Sequence, residues 1–327
     1  MIISRTPFRV SFFGGGTDYP QWYSNNKGKV ISVTINQYCH ISCRKLPKFF
    51  DYKYRLRYFK DEKINKIDDI QHPSIRETLR LLKINDGLEI IHSGDLPAMS
   101  GLGSSSTFTV GLLNLLYAYI NIKKTKREIA LDAINIEQNL LAENVGSQDQ
   151  VAASFGGLNK IVFNQANNIN VQPINISNES WKNLENHFFL LFSGFSRNAN
   201  DIAYEQIINI KKNSNYYQDM LDIVDEAEKF LYDDKFIEFG KLLNTQWEIK
   251  KKLSNSISNS SIDNIYNHAI KNGAIGGKLL GAGSGGFFVF FVTPDKRANL
   301  IKKLKKFIIV PFKFDSLGSQ IIYFPRT

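Results

Sequence analysis

Cysteine is scarce in this 327-residue chain, which has only Cys39 and Cys43. They stand four positions apart in a β-rich stretch, VISVTINQYCHISC. On a strand that spacing puts both thiols on one face, too far apart for a relaxed disulfide. A zinc site would need two more ligands at fitting spacing, and none is evident. Reduced thiols in a reducing compartment are therefore expected. Long apolar runs are also missing, and none reaches the ~18 residues that a membrane span requires. The opening residues, MIISRTPFRVSFFGGG, lack the layout of a signal peptide, so a cytoplasmic protein is expected. The five histidines show no metal-ligand spacing, and His187 and His268 read as structural or exposed. No internal repeat is visible.

What is present fits a sizeable core. Apolar residues make up 43% of the chain and charged residues 22%, which argues against global disorder and for two domains or lobes. The net charge is +10, compatible with nucleic acid, an acidic membrane or an anionic small substrate as partner. The lysines are scattered. The densest run, Lys302, Lys303, Lys305 and Lys306, alternates with Leu300, Ile301, Leu304 and Phe307, and reads as the solvated face of an amphipathic helix. Neither nucleic acid nor a membrane is expected as partner.

The patterning is α+β rather than strictly alternating βαβ. Strands are expected at 2–13, 29–45, 49–59 and 87–93, a short helix at 74–83, and a helix at 104–120 that is apolar on nearly every face and hence buried. An amphipathic helix is expected over 126–144. The Asn-rich stretch at about 164–187 reads as a polar connector between lobes 1–175 and 176–327. Beyond it come a strand (HFFLLFSG), helices at about 199–213, 215–232, 234–253 and 260–272, and a glycine-rich loop at 281–286. The buried strand FFVFFV, a helix at 295–306 and two short strands complete the chain.

Three motifs carry chemistry. In PAMSGLGSSS, residues 97–106, two glycines precede three serines at a helix start. Glycines let the backbone approach an anion, and free N–H groups with the helix dipole attract phosphate. A serine-capped core helix would look the same, and with no lysine after the glycines this is not a Walker A loop. In RTPFRVSFFGGGTDYPQWY, residues 5–23, Arg9 sits on a strand before a turn of Gly14, Gly15, Gly16, Thr17 and Asp18. Such an Asp suits two vicinal sugar hydroxyls, although a tight turn explains it equally well. KLLGAGSGGFFVFF, residues 278–291, requires close backbone approach to another segment or to a ligand.

Taken together, in this order and spacing, the three motifs resemble those of the GHMP kinase family. Its central signature is similar to the segment from Pro97 through Ser100, Gly101, Leu102, Gly103, Ser104, Ser105 and Ser106. Its first motif is similar to Pro7, Arg9, Gly14, Thr17, Asp18 and Tyr19, and its last to Gly281, Gly283, Gly285 and Gly286. The resemblance implies a two-lobed fold, with a ribosomal protein S5 domain 2-like N-terminal lobe and a ferredoxin-like C-terminal lobe. It implies ATP and Mg²⁺ as cofactors. The loop from Pro97 to Ser106 would hold ATP, and Ser105 or Ser106 with Glu137 would hold the metal, Glu143 being the rival carboxylate. Asp149, in GSQDQ, would be the catalytic carboxylate with Arg9 beside it. Gly15, Gly16, Thr17, Asp18, Gly283 and Ser284 would line the acceptor site. Arg197 is the candidate for a distal phosphate, a surface arginine at a helix start being the other reading.

The GGGTDYP and GSQDQ forms resemble the branch that phosphorylates the anomeric oxygen of D-glycero-D-manno-heptose 7-phosphate. The Glu and His of galactokinase-like first motifs are absent here, which speaks against galactose. A kinase for an unphosphorylated sugar such as fucose, and a non-catalytic sugar or nucleotide sensor, remain as alternatives. Oligomeric state is open, a homodimer included.

Overall fold

The computed structural model describes residues 1–165, 168–194 and 199–325. Its first sheet begins with β1 (Ile2–Phe13) and the long β2 (Gly28–Lys45). To these it adds β3 (Tyr54–Arg57), β4 (Asp61–Ile64), β5 (Leu88–Gly94), β6 (Leu158–Asn164) and β7 (Asn168–Pro173). β2 is rich in β-branched residues and pairs antiparallel with β1 along one edge. On the other edge its second half pairs with β5 and its first half with β6. Only β3 and β5 pair in parallel among the described strands.

The second sheet is built from β8 (Phe188–Phe192), β9 (Gly276–Leu279), β10 (Phe287–Phe291) and β11 (Ile308–Val310), in the order β11-β8-β10-β9. All its pairings are antiparallel. Numbered within the lobe this is 4-1-3-2 with helical crossovers, the ferredoxin-like arrangement. Two further strands, β12 (Phe314–Asp315) and β13 (Gln320–Tyr323), return to the first sheet and pair with β2 and β1. The chain after residue 175 therefore contributes to both sheets.

The helices of the first half are α1 (Pro20–Tyr23), α2 (Pro73–Leu81), α3 (Ser104–Tyr119), α4 (Lys126–Ile134) and α5 (Gln148–Phe155). The second half carries α6 (Asn178–Asn186), α7 (Ala199–Ile208), α8 (Ser214–Tyr232), α9 (Phe236–Lys251), α10 (Ser260–Lys271) and α11 (Pro294–Lys303). α3 is the buried helix that its all-round apolar sequence announces, with Val110, Leu112, Leu113, Leu115 and Leu116 fully shielded. One continuous core joins the lobes, since Phe12 of β1 stacks on Phe188 of β8 with ring centroids 4.9 Å apart.

Three expectations need correction. The helix expected over 126–144 gives way to a π-helical stretch at Asn135–Leu140 and ends there. The expected connector at 164–187 contains β7 and α6, the latter capped by Ser177, whose Oγ accepts from the Ser180 N–H at 3.0 Å. The strand expected over 49–59 is confined to Tyr54–Arg57.

Candidate active site

The first turn of α3 is the natural starting point. Gly103 stands at its N-cap with φ 74°, a left-handed conformation that glycine adopts without strain. A side chain here would also meet Asp149 Oδ2 at 3.0 Å. Ser104, Ser105 and Ser106 follow as the first residues of a sixteen-residue helix whose N–H groups have no intrahelical acceptors. The loop before it packs backbone to backbone on the glycine-rich loop after β9. Phe287 N donates to Ser100 O at 2.9 Å, and a Cβ on Gly281 would lie 2.6 Å from Gly101 Cα. The close approach that KLLGAGSGGFFVFF demands is thus made to the PAMSGLGSSS loop.

Asp149 lies in the first turn of α5, and Arg9 projects from β1 to meet it. Arg9 Nε donates to Asp149 Oδ1 and its Nη2 to Oδ2, both at 2.7 Å, while Nη1 donates to Gly101 O at 2.8 Å. A forked pair of this kind fixes the carboxylate in one plane. Oδ1 also accepts from Gln148 Nε2 at 3.4 Å, and Oδ2 keeps a second lone pair for another donor. The Arg9 side chain is 5% exposed and that of Asp149 24%, so the acid is the partner open to a ligand.

Asp18 sits in the turn after β1 and accepts from Gly16 N at 2.8 Å and Gln148 N at 3.2 Å. Burial pushes its carboxyl up from the usual range, against the lowering effect of the Gly16 amide. These bonds tie the first motif to the start of α5, as does the Ser11 hydroxyl, which donates to Gln148 Oε1 at 2.7 Å.

Glu137 is completely buried behind Ser106, at the π-helical stretch after α4. Its Oε2 accepts from Ser106 Oγ at 2.7 Å and from Gln150 Nε2 at 2.5 Å, whereas its Oε1 has no partner. Burial raises its carboxyl to about 7, against the lowering effect of the Ser106 hydroxyl. A buried carboxylate with one oxygen on a serine hydroxyl and the other without a partner fits a hard cation that takes oxygen ligands. No group of three or more His, Cys, Asp or Glu capable of holding a metal stands among the described residues. A cation here would draw its remaining ligands from phosphate and water, as Mg²⁺ does in nucleotide sites.

A cleft of about 550 Å³ opens among these residues, with Glu137 outside its lining, behind Ser106. Arg9, Gly15, Gly16, Asp18, Gly101, Gly103, the three serines, Asp149 and Gly283 line it. Several expected residues do not. Pro97 is exposed outside the cleft, and Ser100 and Leu102 are buried beneath the loop. Thr17 is buried, its hydroxyl donating to Gly14 O and Lys29 O, both at 2.9 Å. Ser284 is buried too, its hydroxyl bonded to Ser256 O. Arg197 lies outside the described residues. Glu143, the rival to Glu137, lines the cleft wall.

Two residues went unnoticed in the sequence. Lys250, near the end of α9, and Lys278, in β9, both line the cleft while 4% and 1% exposed. Lys250 Nζ donates to Gly281 O and Lys278 Nζ to Ser11 O. Burial and the nearby Arg9 lower the Lys250 ammonium to about 8; burial and Lys250 lower that of Lys278. The signal available beforehand was slight: a lone lysine at the start of the KLLGAG segment, and the first of three consecutive lysines.

Comparison with known proteins agrees with this geometry. The family model for the GHMP kinases N-terminal domain matches residues 73–157, and that for the GHMP kinases C-terminal domain matches residues 227–309. A D-glycero-alpha-D-manno-heptose 7-phosphate kinase of Campylobacter jejuni is 32% identical over 322 residues, covering 93% of each chain. A galactokinase of Pyrococcus furiosus is 25% identical over 91% of each. The crystal structure of a D-glycero-D-manno-heptose 1-phosphate kinase from Bacteroides thetaiotaomicron superposes with a TM-score of 0.79 at 23% identity, over the full length of both chains. The fold and the serine-lined helix start thus define a phosphotransferase that uses ATP and an alcohol acceptor. The chain belongs to the GHMP kinase family.

Proposed function

We propose that this chain is a sugar kinase that transfers the γ-phosphoryl group of ATP to the anomeric C1 hydroxyl of D-glycero-D-manno-heptose 7-phosphate. The products are the 1,7-bisphosphate and ADP, and the bisphosphate would serve the synthesis of nucleotide-activated heptose. The reading rests on one observation above all: the forked Arg9–Asp149 pair standing beside the Ser104–Ser106 helix start in a single cleft. The 32% identity to a heptose 7-phosphate kinase supports the choice of sugar.

Residues 101–106 cradle the β- and γ-phosphates of ATP with backbone N–H groups and serine hydroxyls. Asp149 accepts the proton of the C1 hydroxyl as the sugar oxygen bonds to the γ-phosphorus and the bond to the ADP oxygen breaks. Arg9 holds Asp149 in its plane and adds positive charge beside the transferring group. Gly15, Gly16 and Asp18 position the sugar. Glu137, with Ser105 or Ser106, would hold Mg²⁺, which supplies charge neutralisation for the phosphates in place of the lysine that this loop lacks. The nucleotide is assigned to lobe 1–175 and the acceptor to the cleft between it and lobe 176–327, in a cytoplasmic enzyme.

Coupled ADP release, measured with heptose 7-phosphate, heptose, fucose and galactose side by side, tests the assignment. Heptose 7-phosphate should give the highest kcat/KM, and its product should carry the new phosphate at C1. A higher kcat/KM for fucose or galactose would replace the proposed substrate.

A further inference from the structure

A buried ammonium is costly unless something of opposite charge accompanies it. Lys250 and Lys278 break that rule together. They come from different elements, α9 and β9, and reach the same wall of the cleft. Among the described residues neither forms an ion pair, since no carboxylate lies within 4.0 Å of either Nζ. Each ammonium has three donors. The only acceptors described for them are two backbone carbonyls, Gly281 O and Ser11 O.

The neighbouring carboxylates make their direct hydrogen bonds to other donors. Asp149 accepts both arms of Arg9, and Asp18 accepts two backbone amides. The third cation of the cleft, Arg9, is matched by Asp149. The wall is therefore left with two desolvated lysines that touch no carboxylate, Asp18 and Asp149 acting on Lys250 and Asp18 on Lys278 only from beyond contact, next to the acceptor carboxylates rather than out among the solvated surface lysines. Such a wall is complementary to a dianion that enters with the substrate.

We infer that Lys250, seconded by Lys278, receives the phosphate that the acceptor sugar already carries. The inference rests on the phosphorylated-acceptor reading above and deepens it by assigning the recognition to this lysine pair rather than to Arg197. A bound phosphate would give each ammonium the partner it lacks, and the desolvated site makes each such bond stronger than on an open surface. An acceptor without the phosphate would leave both lysines without a contacting anion, so the pair would also favour phosphorylated acceptors over plain sugars.

The test compares wild type, Lys250→Met, Lys250→Arg and Lys278→Met on heptose 7-phosphate and on heptose. Lys250→Met should raise KM for heptose 7-phosphate by about 30-fold or more, the size expected when one partner of a buried charge pair is removed. KM for heptose should stay within about twofold, and Lys250→Arg should recover part of the loss. An equal loss on both acceptors, or a drop in kcat alone, would place Lys250 at the transferring group and overturn the inference.

A second measurement needs no variant. Inorganic phosphate should inhibit the wild-type enzyme competitively against the acceptor and not against ATP; competition with ATP only would sink the idea. Failure of the substrate assignment is distinguishable, because wild type would then show no preference for heptose 7-phosphate over heptose in the same assay.

Discussion

Lys250→Met should make the ligand-free protein more stable, although it removes a residue placed in the cleft. Burial lowers the Lys250 ammonium from 10.5 to about 8. Arg9 pushes in the same direction, and Asp18 and Asp149 oppose it. Below pH 8 the amine is protonated both folded and unfolded, and the folded state bears the full penalty. Between pH 8 and 10.5 the unfolded chain binds more protons, so stability rises with pH.

The gap from 10.5 to about 8 corresponds to roughly 3 kcal/mol. Losing the hydrogen bond to Gly281 O returns about 1 kcal/mol. The net gain at pH 7 is about 2 kcal/mol, or about 3 °C in Tm for a chain of this length. Urea unfolding and thermal melts at pH 7 and 9.5 read it directly. The advantage should shrink by roughly 2 kcal/mol at the higher pH as wild-type Lys250 sheds its proton. A variant less stable than wild type by more than about 1 kcal/mol at pH 7, or a difference that ignores pH, would refute the claim that this charge is buried without a partner.

Asp149→Asn should lower kcat by about 10²–10⁴ with ATP affinity nearly unchanged. It should also destabilise the fold by roughly 3 kcal/mol, because Arg9 is left buried without its forked partner; near-normal turnover would remove Asp149 as the base. Glu137→Gln should shift the Mg²⁺ dependence of activity upward by about tenfold or more at fixed ATP, as loss of a charged ligand would. An unmoved midpoint in that titration would favour Glu143. Gly101→Ala forces a Cβ to within 2.4 Å of Leu280 O at φ 84°. It should cost about 2–4 kcal/mol in urea unfolding and weaken ATP binding; a neutral outcome would mean that the two glycine-rich loops are not rigidly docked.

The backbone features of the site were legible because they are local. A glycine run before serines specifies a turn and a helix start whatever surrounds it, and the structure has α3 beginning at Ser104. The apolar α3 and the phenylalanine strand β10 were equally plain. Side-chain destinations were less so. Thr17 and Ser284 sit in motif positions, yet their hydroxyls turn inward to bond backbone carbonyls. Lys250 and Lys278 differ from the other lysines only in tertiary surroundings, which composition does not encode. The helix over 126–144 failed because a π-helical stretch changes the register without changing the apolar spacing by much. That same shift carries Glu137, a charged residue, to full burial behind Ser106. In 164–187 the asparagines hid β7, whose exposed alternate positions tolerate polar residues, and α6, whose Trp181 packs on Phe314.

The return of β12 and β13 to the first sheet has a consequence for how the molecule is made. β1 leaves the ribosome well before its outer neighbour at Gln320–Tyr323, with which it pairs through Ile3 with Tyr323 and Arg5 with Gln320. Until those residues emerge, β1 presents an unpaired edge open to other chains. Contacts between residues so far apart in sequence also slow the final docking. A nascent chain stalled near residue 310 would hold residues 101–106 and Asp149 but not the completed first sheet, leaving it dependent on chaperones at that stage.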